Sequence, residues 1–198
     1  SAQLGATVTA TVTTGAAGGL VINEVDYDNV GTGDPDEFIE LYNGTGSAMS
    51  LMNLALVLVN GNGNNEYLRV PLAGSIPANG YVVITNANLT LLGGTRVVPS
   101  GWMMGDNVQN GAPDGVALIN TSTGAVIDKL SYEGSLTAAS ITGISGTVNL
   151  VEISATTVVD SNTANGAMCR MPNGADSNNA SVDWAFCSVP TPGGPNMP

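Results

Sequence analysis

The residues best suited to chemistry lie in one short acidic segment, DYDNVGTGDPDE, at residues 26–37. This segment contains five of the sixteen acidic residues of the chain and no basic residue. Carboxylates at this density repel one another, and a bound cation is the natural compensating charge. The segment therefore predicts a metal site.

The spacing of the segment matches the oxygen ligands of a twelve-residue calcium loop that begins at Asp26, with one ligand missing at Val30. The flanking runs LVINEV and FIELY predict strands, so the loop would connect a hairpin rather than two helices. Ca²⁺ suits it because calcium accepts six to eight oxygens in flexible geometry. The predicted ligands are Asp26, Asp28, Thr32, Asp34, Asp36 and Glu37. A plain acidic turn is the alternative, because Asp, Gly and Asp-Pro favour turns.

Three further segments, GDNVQNGAPDG, DSNTANG and DSNNASVD, are secondary metal candidates. The side chains that could act as ligands there are Asp106, Asn107, Asp114, Asp160, Asn162, Asp176, Asn178 and Asp183. The alternative for each segment is a turn without a metal, because Asp and Asn close turns through their own hydrogen bonds.

The composition argues against an enzyme. The chain has no histidine, so Ser-His-Asp and Cys-His arrangements and histidine-bearing zinc sites are impossible. Paired carboxylates could still hydrolyse a glycosidic bond. Aromatic residues make up only 5% of the chain, which disfavours a cleft that stacks sugars. We predict no catalytic residue and keep a carboxylate-based hydrolase as the least favoured alternative.

The charge balance limits the partners. Four basic and sixteen acidic residues give a formal net charge of −12, which repels nucleic acid and anionic lipid. No apolar run approaches the length of about 18 residues expected of a membrane span. The expected partners are further copies of the same chain, or an extracellular protein or glycan.

The two cysteines, Cys169 and Cys187, lie 18 positions apart. Together with the low lysine content and the abundance of Thr, Asn and Gly, they predict an extracellular or cell-surface protein with one disulfide. The alternative is a pair of buried free thiols.

Short β-branched and aromatic runs separated by Gly, Asn, Asp and Pro predict an all-β sandwich or barrel. The predicted strands are Thr7–Thr13, Leu20–Val25, Phe38–Tyr42, Leu54–Val59, Tyr67–Val70, Tyr81–Thr85, Arg96–Val98, Val116–Asn120, Val126–Tyr132, Thr147–Ile153, Met168–Met171 and Trp184–Cys187. Residues 138–144 are left open between a helical turn and irregular structure. In the predicted strand Phe38–Tyr42, we expect Glu40 to be exposed or paired with an arginine. We expect Asn43, at the end of this strand, to form hydrogen bonds with backbone groups.

The domain organisation follows from two stretches at the ends of the chain. Residues 1–19 are predicted to form a strand and a flexible Gly/Ala hinge, residues 20–190 the β-sandwich, and residues 191–198 a proline-rich tail.

In the run ATVTATVTT, one face carries Val8, Ala10 and Val12 and the other carries threonines. This strand either forms an edge of its own sandwich or pairs with the sheet of a neighbouring copy. Head-to-tail strand donation of the second kind does not close on itself and makes a fibre.

The segment LVINEVDYDNVGTGDPDEFIELYNGTGSAMSLMNLALVLVNGNG closely resembles the opening of the lamin tail domain, an immunoglobulin-like β-sandwich. The segment GAMCRMPNGADSNNASVDWAFCSVPTPGGPN is similar to the end of bacterial members, and AGSIPANGYVVITNA resembles a middle segment of the family. The resemblance covers about residues 20–196. It implies an exported, non-catalytic module.

These observations lead to one functional hypothesis and one alternative. We predict a non-catalytic extracellular structural or adhesive protein, stabilised by Ca²⁺, that forms a fibre by donating its N-terminal strand. The alternative is a monomeric extracellular module that binds a glycan or a protein.

Overall fold

The computed structural model describes residues 19–103 and 105–198, and these residues form an all-β fold with one short helix, α1 (Ala180–Asp183). The strands are β1 (Leu20–Asp26), β2 (Phe38–Asn43), β3 (Met49–Ser50), β4 (Leu54–Asn60), β5 (Asn65–Pro71), β6 (Ser75–Ile76), β7 (Tyr81–Thr85), β8 (Thr95–Val97), β9 (Asp114–Asn120), β10 (Val126–Tyr132), β11 (Ala167–Arg170) and β12 (Trp184–Cys187). The predicted all-β immunoglobulin-like sandwich is confirmed.

The strands form two main sheets. One sheet has six strands in the order β12-β11-β1-β2-β7-β8, and the other has four in the order β10-β9-β4-β5. Neighbouring strands are antiparallel except β7 and β8, which are parallel. The short strands β3 and β6 pair separately. Consecutive antiparallel strands on two packed layers are the arrangement that short, turn-separated strands favour.

Strand β4 is buried on both faces, which explains its unbroken apolar sequence LALVLV. Leu54, Leu56 and Leu58 contribute to the core between the two sheets. The alternate residues Ala55, Val57 and Val59 belong to a second apolar cluster. The loop after β10 contributes to this cluster with Leu136, Ala139, Ile141, Val148 and Leu150, so it covers the outer face of the four-stranded sheet.

The predicted strand Thr147–Ile153 is wrong. Within it, only Val148 forms a β-bridge, an isolated one to Ala139, and Leu150 and Ile153 each donate a single backbone hydrogen bond to other segments. The alternating burial of Val148 and Leu150 comes from the covering loop and not from membership of a sheet. Residues 138–144 are also irregular apart from isolated bridges.

The C-terminal segment is packed against the six-stranded sheet and is not a separate tail. Thr191 donates two hydrogen bonds to Glu24, from its backbone N at 2.9 Å and its Oγ1 at 3.0 Å. The backbone N of Gly193 donates to Glu40 at 2.6 Å. As predicted, its prolines prevent this segment from pairing as a β-strand. Hydrogen bonds to the side chains of Glu24 and Glu40 hold it against the sheet instead.

Asn43 behaves as expected, because its amide donates to the carbonyl oxygens of Ile76 and Pro77. Glu40 does not. It is fully buried and accepts hydrogen bonds from Asn23 and Gly193 instead of pairing with an arginine.

The disulfide between Cys169 and Cys187 is confirmed. It joins the antiparallel neighbours β11 and β12, with the two Cα atoms 6.0 Å apart. Among the described residues, no helix is long and apolar enough to cross a membrane. The predicted N-terminal strand, with Val8, Ala10 and Val12, lies outside the described residues.

Candidate cation site

The acidic loop connects β1 to β2, and Tyr27 anchors its start. The Tyr27 ring is buried in the core and stacks on Tyr132, with ring centroids 4.7 Å apart. Its hydroxyl accepts a hydrogen bond from the backbone N of Asp160 at 2.9 Å. This contact brings the segment DSNTANG, a secondary metal candidate, against the acidic loop.

As a result, the carboxyl groups of Asp26 and Asp160 lie next to each other and interact directly. Both residues are buried, with 3% and 2% of their surface exposed. Asp160 accepts hydrogen bonds from the backbone N atoms of Tyr27, Asp28 and Ser161. Asp26 accepts one from the Asn29 amide at 2.5 Å. Among the described residues, neither carboxyl group forms an ion pair with a lysine or arginine.

This environment disfavours two negative charges. Burial raises the pKa of Asp26 well above its ordinary value, and the nearby carboxyl groups of Asp160 and Glu24 raise it further. Burial also raises the pKa of Asp160, against the effect of its three backbone hydrogen bonds. Two carboxyl groups in such contact hold either a shared proton or a cation.

Glu37, the last predicted ligand of the loop, is turned into the protein. Its Oε2 accepts two hydrogen bonds from Asn107, and its Oε1 accepts one from the backbone N of Val108. Burial raises the pKa of Glu37 to about 7, although these hydrogen bonds oppose the rise. Because both of its carboxylate oxygens accept hydrogen bonds from the protein, Glu37 anchors the loop and is not among the proposed metal ligands.

The segment GDNVQNGAPDG also lies beside the acidic loop. A Cβ atom on Gly105 would collide with the Gly33 carbonyl oxygen, so only glycine allows this approach. Asp34 follows with a positive φ of 36°. Burial raises the pKa of Asp34, and the charges of Asp28 and Asp106 add to the rise, which places these three carboxylates in one electrostatic neighbourhood.

Asp26 is reachable from an adjoining groove of about 300 Å³. Asn29, Asp36 and Asn165 line it on the polar side, and Leu89, Leu92, Pro190 and Pro192 are among its apolar residues. Asn29 and Asp36 are linked, because the Asn29 side-chain oxygen accepts the backbone N–H of Asp36 at 2.7 Å. This groove therefore brings several potential oxygen ligands together at a place that an ion can reach from solvent.

The loop does not present a compact carboxylate triad. Among the described residues, only Asp128, Glu152 and Asp176 place three ligand atoms within 4.8 Å of one another. A cation at Asp26 and Asp160 would therefore also need amide, backbone or water oxygens, all of which Ca²⁺ accepts. Thr32 lies at an exposed position of the loop.

The remaining predicted ligands lie elsewhere. Asp114 accepts the backbone N–H groups of Gly61 and Gly111, as a turn residue does, and Asn162 is exposed. In the last segment, Asp183 accepts hydrogen bonds from Ser177 and Asn179, and the Asn178 backbone N donates to Asp176.

Sequence reasoning missed one feature of that last segment, its contact with a buried arginine. Asp176 and Asp183 lie next to the buried Arg170, together with Asp128 and Glu152. A lone arginine in an apolar strand, AMCR, was the available signal, because an arginine is almost never fully buried unless it is paired.

The chemistry that the Asp26–Asp160 pair favours is ion or proton binding. Carboxyl groups that hydrolyse glycosides are separated by about 5 Å or more, with the substrate between them. Asp26 and Asp160 interact directly and are both buried, which suits a shared ion or proton better than a substrate between them.

Comparison with known proteins agrees with the β-sandwich fold. The family model described as Lamin Tail Domain matches residues 13–134, more than half of the chain. No curated protein matches the chain. The family is a group of immunoglobulin-like, non-catalytic β-sandwich domains. The β-sandwich fold and this match lead to one conclusion: the chain belongs to the lamin tail domain family.

Proposed function

We propose that this lamin tail domain is a non-catalytic structural or adhesive protein of the cell exterior, stabilised by Ca²⁺ bound at Asp26 and Asp160. The observation that carries the proposal is the contact between these two buried carboxyl groups, which have no cationic partner among the described residues. Asn29 and Asp36 at the adjoining groove supply further oxygens, and Asp28, Thr32 and Asp34 complete the acidic surroundings.

The buried disulfide between β11 and β12 supports an extracellular location, because disulfides persist in oxidising compartments. Ca²⁺ fits the same setting, since extracellular modules bind it with dissociation constants of about 10⁻⁴–10⁻³ M. In this proposal the ion joins the loop after β1 to the loop around Asp160 and stiffens one end of the sandwich.

We further propose that the N-terminal segment pairs with the sheet of a neighbouring copy and so builds a fibre. The strict alternation of Val8, Ala10 and Val12 with threonines supports a strand with one apolar face. The edge strand β5 is the proposed acceptor. Among the described residues, β5 pairs along its length with β4 only, apart from a bridge between Asn65 and Ser140.

Electron microscopy and sedimentation of the full chain test the fibre. Val8→Lys/Val12→Lys puts charge on the apolar face and is expected to abolish assembly. Thr7→Lys/Thr11→Lys adds the same charge on the opposite face and is the matched control, which is expected to assemble. Monomers in all three proteins, or fibres in all three, would end this part of the proposal.

A polar groove of about 790 Å³ favours the second candidate function, a monomeric module that binds a glycan. Amide and carboxylate side chains line it, among them Asn62, Asn110 and Asp106, and these groups hydrogen-bond to sugar hydroxyls. Saturation-transfer NMR with a panel of oligosaccharides tests this function. Asn62→Ala/Asn110→Ala should remove any signal. If the wild-type protein gives no signal, the glycan-binding function is rejected and only the structural function remains.

A further inference from the structure

Arg170 lies at the centre of a buried acidic cluster, remote in sequence from the acidic loop. Its side chain is fully buried. The guanidinium lies 3.0 Å from Asp128, 3.5 Å from Glu152, 3.5 Å from Asp176 and 3.6 Å from Asp183. One cation therefore faces four carboxylates, each with no more than 4% of its side chain exposed.

The donors of Arg170 are largely used by other acceptors. Its Nε donates to the Ile22 carbonyl oxygen and its Nη1 to the Ala175 carbonyl oxygen, both at 2.8 Å. Its Nη2 contacts both oxygens of Asp128 at 3.0 and 3.1 Å. Glu152 receives only a long contact of 3.5 Å. The guanidinium therefore satisfies Asp128 well and Glu152 poorly.

Glu152 is the carboxylate left without adequate partners. Its side chain is 1% exposed, and among the described residues its Oε2 has no hydrogen-bond partner. Asp183, by contrast, accepts three hydrogen bonds from Ser177 and Asn179. A buried oxygen without a partner destabilises the folded protein, and more so when it is charged.

The charges of the cluster do not balance. Arg170 and the nearby Lys129 offer two positive charges, whereas the four carboxylates offer four negative ones. Lys129 is itself held by the carbonyl oxygens of Asn149 and Val151. With all four carboxylates ionised, two negative charges remain, which is the charge that one divalent cation neutralises.

The spacing of the carboxylates suits such an ion. One oxygen each from Asp128, Glu152 and Asp176 lie within 4.8 Å of one another. Oxygens around one Ca²⁺, at about 2.3–2.6 Å from the ion, lie at most about 5 Å apart. We propose that Asp128, Glu152 and Asp176 bind a second divalent cation of the Ca²⁺ class beside Arg170, separate from the site at Asp26 and Asp160.

This site would join three parts of the chain that no single sheet connects. Asp128 lies on β10, Glu152 at the end of the covering loop, and Asp176 in the loop after β11. The ion supplies the partner that Glu152 Oε2 lacks. It thereby fastens the covering loop of the four-stranded sheet to the C-terminal part of the six-stranded sheet.

Terbium luminescence of the full chain tests the proposal, because Tb³⁺ replaces Ca²⁺ and is sensitised by a nearby tryptophan. Trp184 is suitably close, since Arg170 Cζ lies 5.0 Å from the centre of its ring. Wild-type protein, stripped with EDTA, titrated with Tb³⁺ at pH 8 and excited at a wavelength that tryptophan absorbs and tyrosine does not, is expected to emit. Trp184→Phe should lose most of this emission, and Trp102→Phe is the matched control at the other tryptophan of the chain.

Binding is counted independently by titration calorimetry with Ca²⁺ at pH 8. Glu152→Gln keeps the shape of the side chain and should lower the stoichiometry by one ion per chain, whereas Asp26→Asn should leave this site intact. A Glu152→Gln protein with undiminished Ca²⁺ stoichiometry, or Tb³⁺ emission that does not depend on Trp184, would overturn the second site. Loss of one ion in Asp26→Asn alone would uphold the first site and reject the second.

Discussion

The carboxyl groups of Asp26 and Asp160 lie against each other in a buried environment, although 134 positions separate the two residues in the sequence. Asp160 is held by three backbone N–H groups, whereas Asp26 has only the Asn29 amide. When both groups are ionised, the negative charge on Asp26 is therefore less well stabilised than that on Asp160. The consequences of this arrangement can be measured.

Asp26→Asn is expected to stabilise the protein in EDTA at pH 8 by about 1–2 kcal/mol, because the new amide can donate to Asp160 where a carboxylate repels it. The same change should remove most of the stabilisation that Ca²⁺ gives to the wild type. Urea denaturation with and without Ca²⁺ measures both effects.

The matched control for this prediction is Glu66→Gln, which removes an acid that pairs with Arg69 on β5. It should leave the response to Ca²⁺ unchanged. If Asp26→Asn were destabilised in EDTA and kept the full response to Ca²⁺, the pair would not be a site of charge repulsion.

Stability without divalent cations should fall as the pH rises. Burial raises the pKa of Glu24 to about 7 and that of Glu40 to about 8, both from an ordinary 4.5. Folded protein therefore binds more protons than unfolded protein, and the stabilisation is fully present below about pH 4.5 and lost as the pH rises through 7 and 8. Melting temperatures in EDTA from pH 5 to pH 8.5 measure this fall.

Glu40→Gln should flatten that pH profile, since it removes one of the titrating groups. Glu66→Gln is again the control, because the pKa of Glu66 is lowered by its contact with Arg69 and its removal cannot flatten a fall of this sign. A melting temperature that rises steadily from pH 5 to pH 8.5 in EDTA would contradict the assignment.

The contact between Thr191 and Glu24 should be important for stability. Thr191→Val keeps the shape of the side chain but removes the Oγ1 hydrogen bond to a buried carboxyl group, with an expected loss of about 1.5–3 kcal/mol in the free energy of unfolding. Thr137→Val, at an exposed position, should change it by less than about 0.5 kcal/mol. Equal effects of the two variants in urea denaturation would show that the C-terminal segment is not held through Glu24.

The disulfide should stabilise the fold mainly through the unfolded chain. In the chain-entropy model, closing a loop of this length contributes about 3 kcal/mol. Cys169→Ala/Cys187→Ala is expected to lose an amount of that order, and reducing agent should destabilise the wild type but not the double variant. Identical denaturation curves for wild type with and without reducing agent would refute the prediction.

Sequence patterns predicted the strands well wherever alternation or an apolar run marked a sheet. Tyr81–Thr85, Val126–Tyr132 and Trp184–Cys187 have the predicted bounds, and most of the others differ by one or two residues. The error at Thr147–Ile153 has a physical reason. Val148 and Leu150 are buried by the sheet that they cover, and burial alone produces the same alternation as pairing does.

The candidate site was predictable in its residues but not in its pairing. The crowding of carboxylates at residues 26–37 indicated a site, and Asp160 was already a secondary candidate. Their contact depends on Tyr27, whose hydroxyl accepts the backbone N–H of Asp160 across the core. No local pattern encodes such a contact. The inward turn of Glu37 toward Asn107 was hidden for the same reason.

Calcium titration calorimetry of the full chain at pH 8, comparing wild type with Asp26→Asn, tests the central claim most directly. The account predicts that the wild type binds Ca²⁺ at a site that Asp26→Asn lacks, and that Glu66→Gln binds as the wild type does. Equal Ca²⁺ binding by wild type and Asp26→Asn, or no binding by the wild type, would contradict it.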